Sequence, residues 1–367
     1  MEQEVLQAKR AGDFHYNIFF EKSFEKLSEK LNALNKKGRK ICIVTDSNVA
    51  PLYLDAVEKE LKKTDFIYTS YVLPAGEANK NFEGIYEHLI VNHFDRGDLL
   101  AALGGGVVGD MTGFTAATYL RGIDFVQIPT TLLAQVDSSI GGKTGVDFGQ
   151  YKNMVGAFHQ PLFVYANVQV LKTLPETEFI SGMGEVVKHG FIRSKDYSQW
   201  LLDHKQEITE RQPAICQEMI YKSCVIKKTV VENDPLEHGE RAVLNFGHTI
   251  GHAVEKLKDF SLHHGHCVAI GCAAAAYLSL KKGFLSKEEY MQVLTELNAF
   301  HLPVKVSGLS CEDILMTTKS DKKMDKGHIR FILLQGCGNA VIDTSLSDED
   351  LTEAITEICK ENKEAAL

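Results

Sequence analysis

Five of the fourteen histidines fall between positions 248 and 266, a density suited to binding a divalent metal. The run is Leu244-Asn245-Phe246-Gly247-His248-Thr249-Ile250-Gly251-His252-Ala253-Val254-Glu255, then His263-His264-Gly265-His266. On a helix, His248 and His252 stand four apart and share a face, with Glu255 three residues further along the same stripe. His264 follows a short connector and can fold back to the same place. Zinc is the first cation to expect for such donors. No Glu follows His248, so the HExxH protease pattern is absent. A histidine pair at this spacing is also common on ordinary helix surfaces, and the residues alone leave the ligand set open. A catalytic zinc takes three protein ligands, so a carboxylate from elsewhere in the chain is sought.

A second chemical signature is Gly104-Gly105-Gly106-Val107-Val108-Gly109-Asp110, in which Gly104, Gly106 and Gly109 have G-x-G-x-x-G spacing after an apolar strand. Such glycines let backbone approach a pyrophosphate, and the helix that follows offers free amides and positive potential. The ribose-binding acid usual about twenty residues downstream is missing; the better candidate is Asp46, upstream. A third stretch runs from Pro129 to Gly145. Its Gly142-Lys143-Thr144 is not a P-loop, because Asp137 stands where that motif needs glycine. Rich in glycine and hydroxyls, it reads as lining for a polar ligand, as does Lys152-Asn153.

These residues must be held by elements, and the alternation of the first half supplies them. Strands are expected at Lys40–Asp46, Phe66–Leu73, Asp98–Leu103, Phe125–Ile128 and Leu162–Ala166, with helices at Tyr53–Lys63 and Phe82–Phe94 between them. That order gives a parallel sheet covered on both faces, an α/β variant of the Rossmann-like nucleotide-binding domain. Beyond Pro175 the chain is expected to be mainly helical, at Tyr197–Ile208, Gln212–Val231, Val268–Lys281 and Lys287–Phe300. Two domains follow, 1–174 for the nucleotide and 175–367 for the metal and substrate. The sought carboxylate is Glu185, in Ser181-Gly182-Met183-Gly184-Glu185-Val186-Val187-Lys188, where Lys188 lies three residues on, along the same helical face.

Composition narrows the class. With 44% apolar and 24% charged residues, the 367-residue chain is ordinary globular protein. A net charge of −9 argues against nucleic acid. No apolar run is long enough for a membrane span, and no signal peptide opens the sequence. Eight cysteines without any CxxC fit a reduced, cytoplasmic enzyme.

Together, Gly104–Asp110, Pro129–Gly145, Lys152-Asn153, Gly182–Lys188, Leu244–Glu255 and His264–Gly271 resemble the sugar-phosphate cyclase family, in order along nearly the whole chain, and within it the dehydroquinate-forming branch in its single-function form. The resemblance implies a zinc (or cobalt) site of Glu185, His248 and His264, with His252 left near the substrate for hydrogen bonding or proton transfer. It implies NAD held by Asp46, Asn48, Glu77, Lys80, Gly105, Gly106, Val107, Asp110, Thr130, Thr131, Asp137, Lys143, Lys152, Thr173, Leu174 and Glu178. It places substrate against Arg121, Asp137, Lys143, Lys152, Asn153, Lys188, Lys227, Arg241, Asn245 and His252, with Lys323 or its neighbour Lys322 closing over it.

The reaction implied converts a seven-carbon keto-acid phosphate, 3-deoxy-D-arabino-heptulosonate 7-phosphate, to 3-dehydroquinate and phosphate. It proceeds by transient NAD-dependent oxidation, β-elimination, re-reduction and intramolecular aldol closure, on a homodimer. An anionic sugar-acid phosphate explains why an acidic chain keeps so many basic groups. The rival expectations are another sugar-phosphate cyclase and a metal-dependent polyol dehydrogenase of the glycerol dehydrogenase type, whose neutral substrate needs no basic cluster. The sequence departs from the family at His266, where Glu is usual; His266 or His263 then competes as a ligand. It departs also at Tyr151 (usually Gly), Asn167 (commonly Asp) and Gly184 (Ala).

Overall fold

The computed structural model describes residues 5–10, 13–80, 82–148, 151–320, 324–325 and 328–360. Contacts divide the chain into two units: residues 1–174 with 216–228, and residues 175–215 with 229–367. The helix Pro213–Asn233 therefore lends its middle to the first unit.

The first unit is built on a seven-stranded sheet. Its strands are β1 (Val5–Arg10), β2 (Asp13–Glu21), β3 (Lys40–Asp46), β4 (Ile67–Leu73), β5 (Leu99–Gly104) and β6 (Asp124–Pro129), and, after a separate hairpin of β7 (Lys143–Phe148) and β8 (Tyr151–Phe158), β9 (Phe163–Asn167). The order is β1-β2-β9-β6-β5-β3-β4, and every sheet pairing is parallel except β1 with β2. The central strands read as unbroken apolar runs because both faces are covered. Ile41, Ile43, Leu99, Ala101, Leu103, Val126 and Ile128 share one core with Val57 and Leu61. The alternate residues Cys42, Val44, Leu100, Ala102 and Phe125 join a second core with Ile85, Leu89, Val108 and Met111. A period of two thus sorts each strand between two layers of helix. The hairpins β1–β2 and β7–β8 are not expected from the sequence, because neither carries the unbroken apolar run that marks the central strands.

The second unit is mainly helical. Glu176–Arg193, His248–Leu257 and His264–Lys281 are its site-bearing helices. The expected single helix over Tyr197–Ile208 is two, Lys195–Asp203 and Lys205–Thr209, broken at His204. The alanine-rich helix is buried nearly all round, as a helix apolar on every side must be. No described helix is long and apolar enough to cross a membrane.

Glu296, on helix Lys287–Ala299, has no exposed surface. Burial, only partly offset by the Ser198 hydroxyl, pushes its carboxyl up from 4.5 to about 8. Between those values the native state holds a proton that the unfolded chain has lost, so this group removes stability as pH rises. Glu296→Gln should stabilise the protein by a few kcal/mol near pH 8 and much less near pH 5. Thermal melts across that range check this; an unchanged pH profile would count against it.

Candidate active site

In the second unit, Glu185 lies mid-helix with its side chain fully buried. Its Oε1 is 3.5 Å from His248 Nε2 and 3.6 Å from His264 Nε2. Three ligands around a tetrahedral zinc, with bonds of about 2.1 Å, stand about 3.4 Å apart. The other ring nitrogens are also committed. His248 Nδ1 donates to the Phe246 carbonyl at 3.1 Å, and His264 Nδ1 lies 3.4 Å from Glu255 Oε2. Both acceptors require a proton on Nδ1, so Nε2 is the nitrogen that each ring turns toward Glu185. Neither Glu185 oxygen has a regularly directed hydrogen bond among the described residues. A buried carboxylate oxygen facing two imidazole nitrogens is a donor set that fits a divalent cation.

Charge around the cluster agrees. Burial would raise the Glu185 carboxyl, but the Lys188 ammonium, in contact with it, and the His264 imidazole hold it far below the ordinary range. Burial would lower His264, yet Glu185 and Glu255 raise it to about 9, so without a cation its Nε2 holds a proton toward Glu185 that a bound cation would displace. Lys188 also donates to the Leu244 carbonyl at 2.7 Å, tying the first helix to the segment before His248.

Glycines bring these helices close enough. A Cβ on Gly265 would stand 1.8 Å from the Ser181 carbonyl oxygen, and one on Gly184 would stand 2.5 Å from the Gly265 oxygen. A Cβ on Gly271 would meet the Gly247 oxygen at 1.8 Å. Gly247, at φ +79°, also caps the helix that begins with His248. Gly184, Gly265 and Gly247 each adjoin a residue of the cluster, so backbone touches backbone where the donors must converge. His263 and His266 lie together, with ring centroids 5.7 Å apart, and His263 Nδ1 is 3.5 Å from Glu178. Neither joins the described group of Glu185, His248 and His264. His252 flanks that group, its ring 5.2 Å from His248 and 5.9 Å from His264. Arg241 is almost wholly buried, its Nη1 donating to the Pro235 carbonyl at 2.7 Å, and Asn245 donates to Glu237 at 2.8 Å.

In the first unit, β3, β5 and β6 are neighbours, and Thr45 pairs with Leu103 and Gly104 with Pro129. Their carboxyl ends therefore set Asp46, the glycine turn and Thr130-Thr131 along one edge. The chain passes from β3 outward to β4 and returns to β5 on the other side, so this edge is a topological switch point, where α/β sheets bind ligands. It also explains how an upstream acid can serve: Asp46 is beside the glycines in the sheet, not in sequence. Asp46 Oδ1 accepts from the amides of Asn48 and Val49 at 2.8 and 3.0 Å. Gly105, extended, leads into helix Gly106–Thr118, whose first turn holds Val107. A Cβ on Gly105 would stand 3.0 Å from Thr131 Cγ2, and one on Gly109 would stand 2.8 Å from Gln127 Oε1. Those contacts let the helix pack tightly against the neighbouring segments, and its first amides suit a dinucleotide pyrophosphate.

Beside them, Lys80 Nζ donates to Asp110 Oδ2 at 3.0 Å and Asn153 Oδ1 at 2.6 Å, and lies 3.4 Å from Glu77. Lys152 is 3.6 Å from Glu77. Burial, offset in part by Lys80, pushes Asp110 up to about 6. Asp137, in a π-helical turn Ala134–Ser138, accepts from Lys227 at 2.6 Å; π turns are often found at functional sites. Thr173 bonds the Tyr53 hydroxyl, and Leu174 is nearly buried beyond it. Arg121 and Lys143 are exposed, and Lys322 and Lys323 lie outside the described residues. Glu178 belongs to the second unit. The contact of Glu255 with His264 is not expected from the sequence, although the place of Glu255 on the histidine stripe is a signal for it.

Gly265→Ala should destabilise the fold by about 1–3 kcal/mol or more and weaken zinc binding with it. Melting and zinc titration would show this; a variant with native melting and native zinc affinity would contradict the close contact.

Comparison with known proteins identifies the family. Residues 70–181 match the family profile described as 3-dehydroquinate synthase N-terminal, and residues 182–324 match its C-terminal counterpart. The 3-dehydroquinate synthase of Acetivibrio thermocellus is 41% identical over 346 residues, 94% of this chain and 96% of the relative. That of Acidithiobacillus ferrooxidans is 44% identical over 319 residues, 86% of this chain and 88% of its own length. In structure, a 2-deoxy-scyllo-inosose synthase complexed with carbaglucose-6-phosphate, NAD+ and Co2+ superposes at a TM-score of 0.86. It is 24% identical, over 96% of this chain and 99% of that one. At 41% identity across nearly the full length of both sequences, the chain belongs to the 3-dehydroquinate synthase family.

Proposed function

We propose that this chain converts 3-deoxy-D-arabino-heptulosonate 7-phosphate to 3-dehydroquinate and inorganic phosphate, a step of the shikimate pathway to aromatic amino acids. The observation that supports it most is Glu185 Oε1 set 3.5 and 3.6 Å from two imidazole nitrogens, in a chain 41% identical to a 3-dehydroquinate synthase. The first unit is the NAD-binding domain and the second the metal- and substrate-binding domain in this reading, with the expected boundary at 174/175 amended by residues 216–228, which belong to the first unit.

Glu185, His248 and His264 hold the cation, zinc or cobalt. Asp46, Asn48, Glu77, Lys80, Gly105, Gly106, Val107, Asp110, Thr130, Thr131, Thr173, Leu174 and Glu178 hold NAD. When bound, the two would supply Lewis acidity toward substrate hydroxyls and reversible hydride acceptance.

The remaining work falls to the chain's own side chains. Arg241, fixed through Pro235, offers a rigid fork suited to bidentate pairing with a carboxylate or phosphate. Lys143, Lys152, Lys188, Lys227 and Arg121 supply positive charge that the substrate's phosphate and carboxylate offset, with Lys322 or Lys323 adding to it. Asn153 and Asn245 orient hydroxyls, and His252 holds or relays a proton at its ring nitrogen. Asp137, bonded to Lys227, keeps that ammonium oriented. Holding substrate conformation in this way lowers the entropic cost of elimination and of ring closure. The enzyme works as a cytoplasmic homodimer in this reading; a single-chain mass by light scattering would remove the dimer.

With zinc, NAD and the seven-carbon phosphate, phosphate should be released without net NADH, and a chelator should stop it. NADH formed in step with substrate loss would instead identify a polyol dehydrogenase. Glu185→Gln should lose metal affinity and turnover by more than about 100-fold while NAD binding persists; a variant that keeps its zinc would remove Glu185 from the site.

A further inference from the structure

We infer that Glu255 is a positioning residue for the metal centre: its carboxylate fixes the His264 proton on Nδ1 and so aims the Nε2 lone pair at the place shared with Glu185 and His248. The inference rests on the metal reading above. His248 opens the helix His248–Leu257, and Glu255 stands seven residues on, two turns along the same face. One helix therefore carries a ligand and the support of another ligand. Glu255 is buried, and its Oε2 lies 3.4 Å from His264 Nδ1 while Nε2 on the far side of that ring lies 3.6 Å from Glu185 Oε1.

The two imidazoles are backed differently. His248 Nδ1 meets a neutral carbonyl, that of Phe246, whereas His264 Nδ1 meets a carboxylate. A charged acceptor makes the opposite nitrogen the more basic ligand and holds the ring against rotation. His264 needs this more, because it is the first residue of its helix and the more exposed of the two, at 27% against 11%. Glu255 also lies within reach of His252 and His264 as a group that could itself ligate, and the experiment separates that case.

Co2+ is titrated into wild type, Glu255→Gln and Glu255→Ala by chelator competition, with the visible cobalt spectrum, NAD binding and melting recorded on each. The expected result is one Co2+ per chain throughout, affinity weakened about 10–100-fold in Glu255→Ala and less in Glu255→Gln, which keeps a carbonyl acceptor. The cobalt spectrum should shift while NAD binding holds. Lower melting with unchanged Co2+ affinity would reduce Glu255 to a structural role and overturn the inference. Two Co2+ in wild type falling to one in Glu255→Ala would make it a ligand and overturn it too. Wild type that binds no Co2+ would overturn the metal reading and this inference with it.

Discussion

A carboxylate taken wholly out of water costs several kcal/mol unless positive charge or hydrogen-bond donors replace the solvent. Glu185 is in that position, and much of the second unit answers to it. Lys188, one turn further along the same helix, supplies one charge. The two imidazoles face its other oxygen with the nitrogens that their own backing groups leave as acceptors. Acceptor against acceptor is repulsive until a proton or a cation comes between them. The same arrangement that is costly when vacant therefore becomes a ligand set, and folding of this unit is linked to what fills it.

That constraint explains the glycines. Donor atoms a few ångströms apart, on three helices, require backbones closer than side chains ordinarily allow. Gly184, Gly265, Gly247 and Gly271 remove the Cβ atoms that would keep the helices apart. In the first unit glycine has another use. Gly105 and Gly106 open the carboxyl edge of the sheet between β3 and β6, where helix amides can meet a pyrophosphate and Asp46 a ribose hydroxyl.

Much of the first unit was legible in the sequence, because strands covered on both faces must be continuously apolar, and Lys40–Asp46 and its neighbours are. The hairpin strands were not, since pairing of Asp13–Glu21 beside Phe163–Asn167 is a long-range event with no local mark. Glu185 and the histidines were visible as residue types, but spacing alone favoured His248 with His252. Choosing His264 needed the family resemblance, because sequence spacing says nothing about a helix that returns after a turn. The short approach that makes the return possible depends on glycine contacts between distant segments, and Glu255 became meaningful only once His264 stood beside it.

The most direct test of the central claim is an anomalous difference map from crystals of the zinc-loaded protein, measured across the zinc absorption edge. The account predicts a single peak bounded by Glu185, His248 and His264, with ligand distances of about 2.0–2.2 Å. A peak bounded instead by His263 or His266, or no peak in protein that retains stoichiometric zinc elsewhere, would contradict it.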